Sequence, residues 1–285
     1  MPTAVDSLKL MPTPAGPIAV PTLSQTSVRS TAAAVSALVM AEQYGDSSLA
    51  AAQAEMLDVA YRGDLSELML AGMRGLADCQ NADGGWGQSP GMPSDLTSSL
   101  LALSAFRLTC VPARCADLEP RLEHYVRSQG GAAALKRTVA DRSLLLGVLT
   151  NAAAAGVVGW RQTPVVRFER AAAPTWARSM LSSPQFDSTN PVMLAGGLAR
   201  FRQWRPKNPV LRWLRGASVD SCLQLVAAQQ SDNGCFRANV LSTSFVVIAL
   251  ASAGKASHSI VRRAVACLLT NVSADADWRC DCLQE

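Results

Sequence analysis

One short stretch constrains this chain more than any other. Residues 79–87 read CQNADGGWG, and a run of helix formers follows directly. Gly84 and Gly85 let the backbone reverse tightly, because glycine reaches positive φ without a steric penalty. Trp86 needs an apolar surface on which to lie, so the turn predicts a helix-loop-helix unit that throws an indole back onto the preceding helix. Such units come in sets. A second copy stands at Gln230, Gly234 and Phe236, with the same spacing as Gln80, Gly84 and Trp86. A third, degraded copy ends at Trp278, 42 residues beyond Phe236. It has Asp275 and Trp278, but Ala276 replaces the glycine and Val272 replaces the glutamine, so its turn is expected to be loose. Three units sharing one turn pattern imply a solenoid or a closed ring of helix pairs, each burying its apolar face against its neighbours.

The remaining segments are helical too. Residues 30–45, STAAAVSALVMAEQYG, are good helix formers with Gly45 as a stop. In residues 65–78, Leu65, Leu68, Met69, Gly72 and Leu76 fall at helical spacing, and a helix over 96–106 is capped by Ser94 or Asp95. Strand signals are nearly absent, and the predicted class is all-α. The apolar run Leu144–Trp160 is too short for a bilayer span and reads as a buried helix ending near Gly156. Five prolines in the first 23 residues prevent a signal-like helix, so residues 1–24 are expected to be a disordered tail and 25–285 the folded unit.

Composition narrows the partners. With 49% hydrophobic residues, 17% charged ones and a net charge of +4, the chain suits a packed helical protein and gives no reason to expect nucleic acid. The eight cysteines, Cys79, Cys110, Cys115, Cys222, Cys235, Cys267, Cys280 and Cys282, form no CxxC pair. They read as small core residues in a reducing, cytoplasmic compartment. Residues 199–215 interleave Arg200, Arg202, Arg205, Lys207, Arg212 and Arg215 with Trp204 and Trp213, without an acid. That stretch reads first as a solvated connector, then as a membrane-surface contact, and least as a nucleic-acid site. His124 and His258 stand alone, Arg262 and Arg263 read as an exposed helix face, and Asp187 and Asn190 read as turn and cap residues.

The stretch LADCQNADGGWG followed by SDLTSSLLALSAF resembles the QW-type repeat of the squalene–hopene cyclase and oxidosqualene cyclase superfamily. The segments VLTNAAAAGVVGW and SFVVIALASAGKASHSIVRRAVACLL are similar to later family segments, in the same order, and the resemblance covers about residues 28 to 281. It implies an α/α toroid in which Gln80, Asp83, Gly84, Gly85 and Trp86, and in part Gln230, Gly234, Phe236 and Trp278, tie helix ends together. It also implies squalene or another polyprenoid as substrate, no cofactor, and a peripheral seat at the inner face of the cell membrane.

Family members start cyclisation by protonating an alkene with the middle acid of a DxDD motif, which requires a carboxyl group made unusually acidic by its neighbours. No DxDD occurs here. The nearest string, DADW, puts Asp275 and Asp277 on the degraded turn, where a solvated loop is expected. Aromatic side chains that could stabilise a carbocation are few. The chain therefore looks like the N-terminal half of such a cyclase, stopping where another helix of the ring should begin and inactive alone. An open ring would expose apolar faces and self-associate, or meet a missing C-terminal half. Two alternatives stand beside this reading: a non-catalytic toroid binding an isoprenoid or a partner protein, and a protein prenyltransferase β-type subunit, which needs an Asp, Cys and His zinc set.

Overall fold

The computed structural model describes residues 27–45, 64–110, 117–170, 190–273 and 276–278. The expected tail, Cys115, Asp187, Asp275, Cys280 and Cys282 lie outside them. The described residues form eleven α-helices: α1 (Val28–Tyr44), α2 (Leu65–Asp78), α3 (Leu96–Thr109), α4 (Leu118–Ser128), α5 (Gly131–Thr138), α6 (Arg142–Ala154), α7 (Pro191–Gln203), α8 (Pro209–Ala217), α9 (Val219–Ala227), α10 (Val240–Ser252) and α11 (Ser259–Thr270). No strand occurs among these residues beyond two isolated bridges inside turns.

Helix starts follow from short polar side chains. Asp95, not Ser94, caps α3, its carboxylate accepting the Ser98 N–H at 2.9 Å. Asn190 caps α7 ahead of Pro191, accepting from Val192 at 3.0 Å, and the proline fits because the first helical N–H has no partner to lose. The run from Leu144 gives a buried helix ending at Ala154, just before Gly156 with φ of +71°.

Five helices make an inner ring. α1 packs on α3, α3 on α6, α6 on α7, α7 on α10, and α10 back on α1. These inner helices carry Ala, Ser, Thr, Val and Leu on every side and are buried nearly all round, as expected of a helix with no polar stripe. Outer helices are amphipathic: α2 covers α1 and α3, α4 covers α3, α9 covers α7, and α11 covers α10 and α1. Small residues allow the inner helices to come close. A Cβ on Gly147 would lie 2.1 Å from the Phe245 ring, so α6 and α10 could not approach as they do with any other residue there.

Candidate functional site

The three turns share one backbone arrangement. In the first, Asn81 N–H donates to Gly85 carbonyl at 3.0 Å and Gly84 N–H to Asn81 carbonyl at 3.0 Å. In the second, Ser231 and Cys235, and Gly234 and Ser231, repeat these bonds at 3.0 and 2.9 Å. In the third, Ser273 and Asp277, and Ala276 and Ser273, repeat them at 3.0 and 3.1 Å. The third turn is therefore closed rather than loose. Ala276 adopts φ of +58°, taking the left-handed conformation that Gly84 and Gly234 take at +85° and +84°.

Side chains then join the turns to neighbouring helices. Gln80 Nε2 donates to the carbonyls of Gly84 at 3.1 Å and Leu118 at 3.3 Å; Gln230 Nε2 donates to Gly234 at 2.8 Å and Ile260 at 3.0 Å. Asp83 accepts from Gly85 N–H at 2.9 Å and from the Ser94 hydroxyl at 2.7 Å. Trp86 and Trp278 are fully buried, and each indole N–H donates to a carbonyl ten residues earlier, Leu76 at 2.7 Å and Leu268 at 2.8 Å. Phe236 is equally buried but has no such donor. Two arginines complete the pattern, Arg121 donating to Ala82 carbonyl at 3.0 Å and Arg263 to Ser231 carbonyl at 3.0 Å. Arg263 thus departs from the exposed face expected of it, whereas Arg262 is exposed.

Each turn also seats the next inner helix, at its N-cap and at the residue four positions later. Trp86 carbonyl accepts from Asp95 N–H and Trp86 N–H donates to the Ser99 hydroxyl, at 2.9 and 3.0 Å. Phe236 pairs likewise with Asn239 and Thr243, at 3.1 and 3.0 Å. Trp278 pairs with Ser27 and Thr31, at 3.2 and 3.1 Å. Ser27 is the N-cap of α1 and Thr31 lies in its first turn. The helix expected after the third turn is supplied by the first helix of the chain, which corrects the expectation of an open ring.

Among the described residues, the five inner helices carry no buried acid. Among α1, α3, α6, α7 and α10 the sole carboxylate is Glu42, exposed near the end of α1. The buried polar groups are hydroxyls and an amide, such as Ser36, Thr150 and Asn151, with Asn151 Nδ2 reaching Ser36 Oγ at 3.4 Å. Asp277 is half-buried and bonded to the Ser273 hydroxyl, so it serves the turn rather than lying in a solvated loop.

Other candidates resolve into structure. His258 caps α11, its Nδ1 accepting the Ile260 N–H at 3.3 Å; burial, then Lys255 and Arg262, hold its pKa below the ordinary value. In the basic stretch, Arg215 is buried and forms a two-bonded pair with Glu169 at 3.1 and 3.2 Å, and Arg200 donates to the Thr163 hydroxyl at 2.9 Å, so neither is a solvated connector residue. Trp213 is 73% exposed, and Arg161 lies over Trp204 at 4.5 Å. Two cysteines depart from the reduced core expected for them: Cys235 of the second turn is disulfide-bonded to Cys267 of α11. Cys110 is exposed, and burial pushes the Cys222 thiol up to about 12, leaving it without nucleophilic character at neutral pH. Among the described residues no His, Cys, Asp and Glu side chains gather into a metal-binding group, and no helix is long and apolar enough to cross a membrane.

Comparison with curated proteins returns no match. The family described as the squalene-hopene cyclase N-terminal domain matches residues 45–188, just over half of the chain, and this span holds the first turn with its flanking helices α2 and α3. An all-α ring of paired helices, a turn that seats each inner helix, and that match together assign the chain: it belongs to the squalene-hopene cyclase N-terminal domain family.

Proposed function

We propose that this chain is a helical ring, without the DxDD acid, of a class II triterpene cyclase-type protein, and that cyclisation of squalene or a related polyprene takes place only with a DxDD-bearing unit joined to it. The carrying observation is that the described inner helices carry no carboxylate except the exposed Glu42, and that the sequence has no DxDD. Hydroxyls and amides are far too weakly acidic to protonate an alkene, and in this reading the joined DxDD unit supplies the proton. The chain's share of the work in this reading is mechanical. Gln80, Asp83, Gly84, Gly85 and Trp86, with Gln230, Gly234, Phe236 and Trp278, act as ties between helix ends. A peripheral seat at the inner face of the cell membrane belongs to the same reading. It is supported by α8, whose Val210, Trp213 and Leu214 are exposed beside Arg212.

The test is squalene conversion followed by gas chromatography, with the chain alone and with the chain co-expressed with a DxDD-bearing C-terminal segment. Product only in the second case is expected. Product from the chain alone, or none from any reconstituted pair, overturns the proposal. A second reading, a non-catalytic ring binding an isoprenoid or a partner protein, is favoured by the Phe245 ring packed against Gly147, which brings inner helices together where a substrate would need room.

A further inference from the structure

A pocket of about 300 Å³ opens at the C-terminal ends of α7 and α10 and the start of α9. Its apolar wall is Leu198, Phe201 and Val219; its cations are Arg202, Arg205 and Lys255. The volume lies at the lower end of the range for small-ligand sites. None of the three cations forms an ion pair among the described residues, in contrast to Arg215, which is held by Glu169. Two of them belong to separate elements that meet here: a Cβ on Gly254, beside Lys255, would stand 3.9 Å from Arg202 Nε. The nearest acid in sequence to the lining is Asp220, exposed on α9.

The last carbonyls of α10 are occupied. Ala249, Leu250 and Ala251 accept from the N–H groups of Ala253, Lys255 and Gly254, and Ser252 accepts from Gln203 Nε2 at 2.8 Å. Their partial negative charge is about half a unit, against three full positive charges in the pocket.

We propose that this pocket binds a phosphate-headed amphiphile, with Arg202, Arg205 and Lys255 on the anionic head and Leu198, Phe201 and Val219 along a short apolar chain. Three cations lining one pocket suit a multiply charged phosphate better than a carboxylate, which carries one charge. The apolar wall distinguishes the ligand from inorganic phosphate. This inference goes beyond the cyclase reading and does not rest on it.

Calorimetric titration with octyl phosphate below its micelle concentration tests the proposal, beside octanol, octanoate and inorganic phosphate. A parallel arm uses vesicles containing phosphatidic acid. The variants are Arg202→Gln and Lys255→Gln, whose retained helicity is checked by circular dichroism. One-to-one binding of octyl phosphate, stronger than each control and weakened about tenfold by either substitution, supports a single soluble ligand. Binding confined to the vesicles, with the same sensitivity, supports a lipid headgroup in the same pocket. Absence of binding in both arms, binding unaffected by both substitutions, or equal affinity for octanol or inorganic phosphate overturns it. Cyclisation activity is not read in these titrations, so their failure leaves the cyclase proposal standing.

Discussion

The backbone N–H of Trp278 donates to the hydroxyl of Thr31 at 3.1 Å, joining residues 247 positions apart. The equivalent bonds, Trp86 to Ser99 and Phe236 to Thr243, span 13 and 7 positions. One local device, a turn seating the helix that follows it, thus becomes the clasp that closes the ring when the helix is α1.

Thr31→Val removes the acceptor and leaves the Trp278 N–H buried without a partner. A loss of about 1–3 kcal/mol is expected from urea denaturation. The full chain, of 30.1 kDa, is expected to elute as a monomer on size exclusion, and removing residues 1–45 should strip the cover from α3 and α10, which α1 packs against, and yield larger assemblies. A shortened chain that stays monomeric would contradict the clasp.

Ala276 holds a left-handed conformation that costs a residue with a Cβ about 1–2 kcal/mol. Glycine there relieves that cost but adds about 0.4–1 kcal/mol of unfolded-chain entropy. Ala276→Gly should therefore stabilise by roughly 0.5–1 kcal/mol in thermal unfolding. Gly234→Ala should act the other way and more strongly, because its Cβ would meet the Arg263 carbonyl oxygen at 2.2 Å.

Glu169 and Arg215 are each 9% exposed. Glu169→Gln leaves a buried guanidinium without its counter-charge, at an expected cost of about 3–5 kcal/mol. Replacing both by apolar residues of similar volume should cost much less, and chemical denaturation of the two variants compares them directly.

His258 must be neutral to accept the Ile260 N–H, and its pKa in the fold lies below the ordinary value. As pH falls through the unfolded value of about 6.5, the unfolded chain takes up a proton that the folded one resists. The cap's contribution is thus present above that pH and is lost as pH falls through the folded pKa. Melting temperature followed from pH 8 to pH 5 should decline less in His258→Asn, which keeps an uncharged cap acceptor.

The bond between Cys235 and Cys267 closes a loop with a sequence separation of 32. Opening it should cost about 3–4 kcal/mol by the loop-entropy estimate. Intact-mass measurement of alkylated protein with and without reductant, paired with melting curves, checks both the bond and its effect. Reduction that leaves stability unchanged would show the turn to be held by its hydrogen bonds alone.

Much of this architecture is written locally. Gln80, Gly84 and Trp86 could be matched to Gln230, Gly234 and Phe236 because the turn is complete within seven residues, and a turn's hydrogen bonds and φ demands are short-range properties. The caps at Asp95 and Asn190 were legible for the same reason. The apolar run from Leu144 marked α6 as buried. What escaped were the partners drawn from distant chain. Arg121 and Arg263 are ordinary surface-type residues until packing brings a turn's carbonyls within reach. Glu169 meets Arg215, and Cys235 meets Cys267, for reasons of proximity that no spacing rule contains. The sequence therefore set the repeating unit, its turn and its all-helical character, through interactions a few residues long. Folding in three dimensions set where the ring closes, since only there does α1 enter the place after Trp278, exchanging water for a buried hydrogen bond across nearly the whole chain.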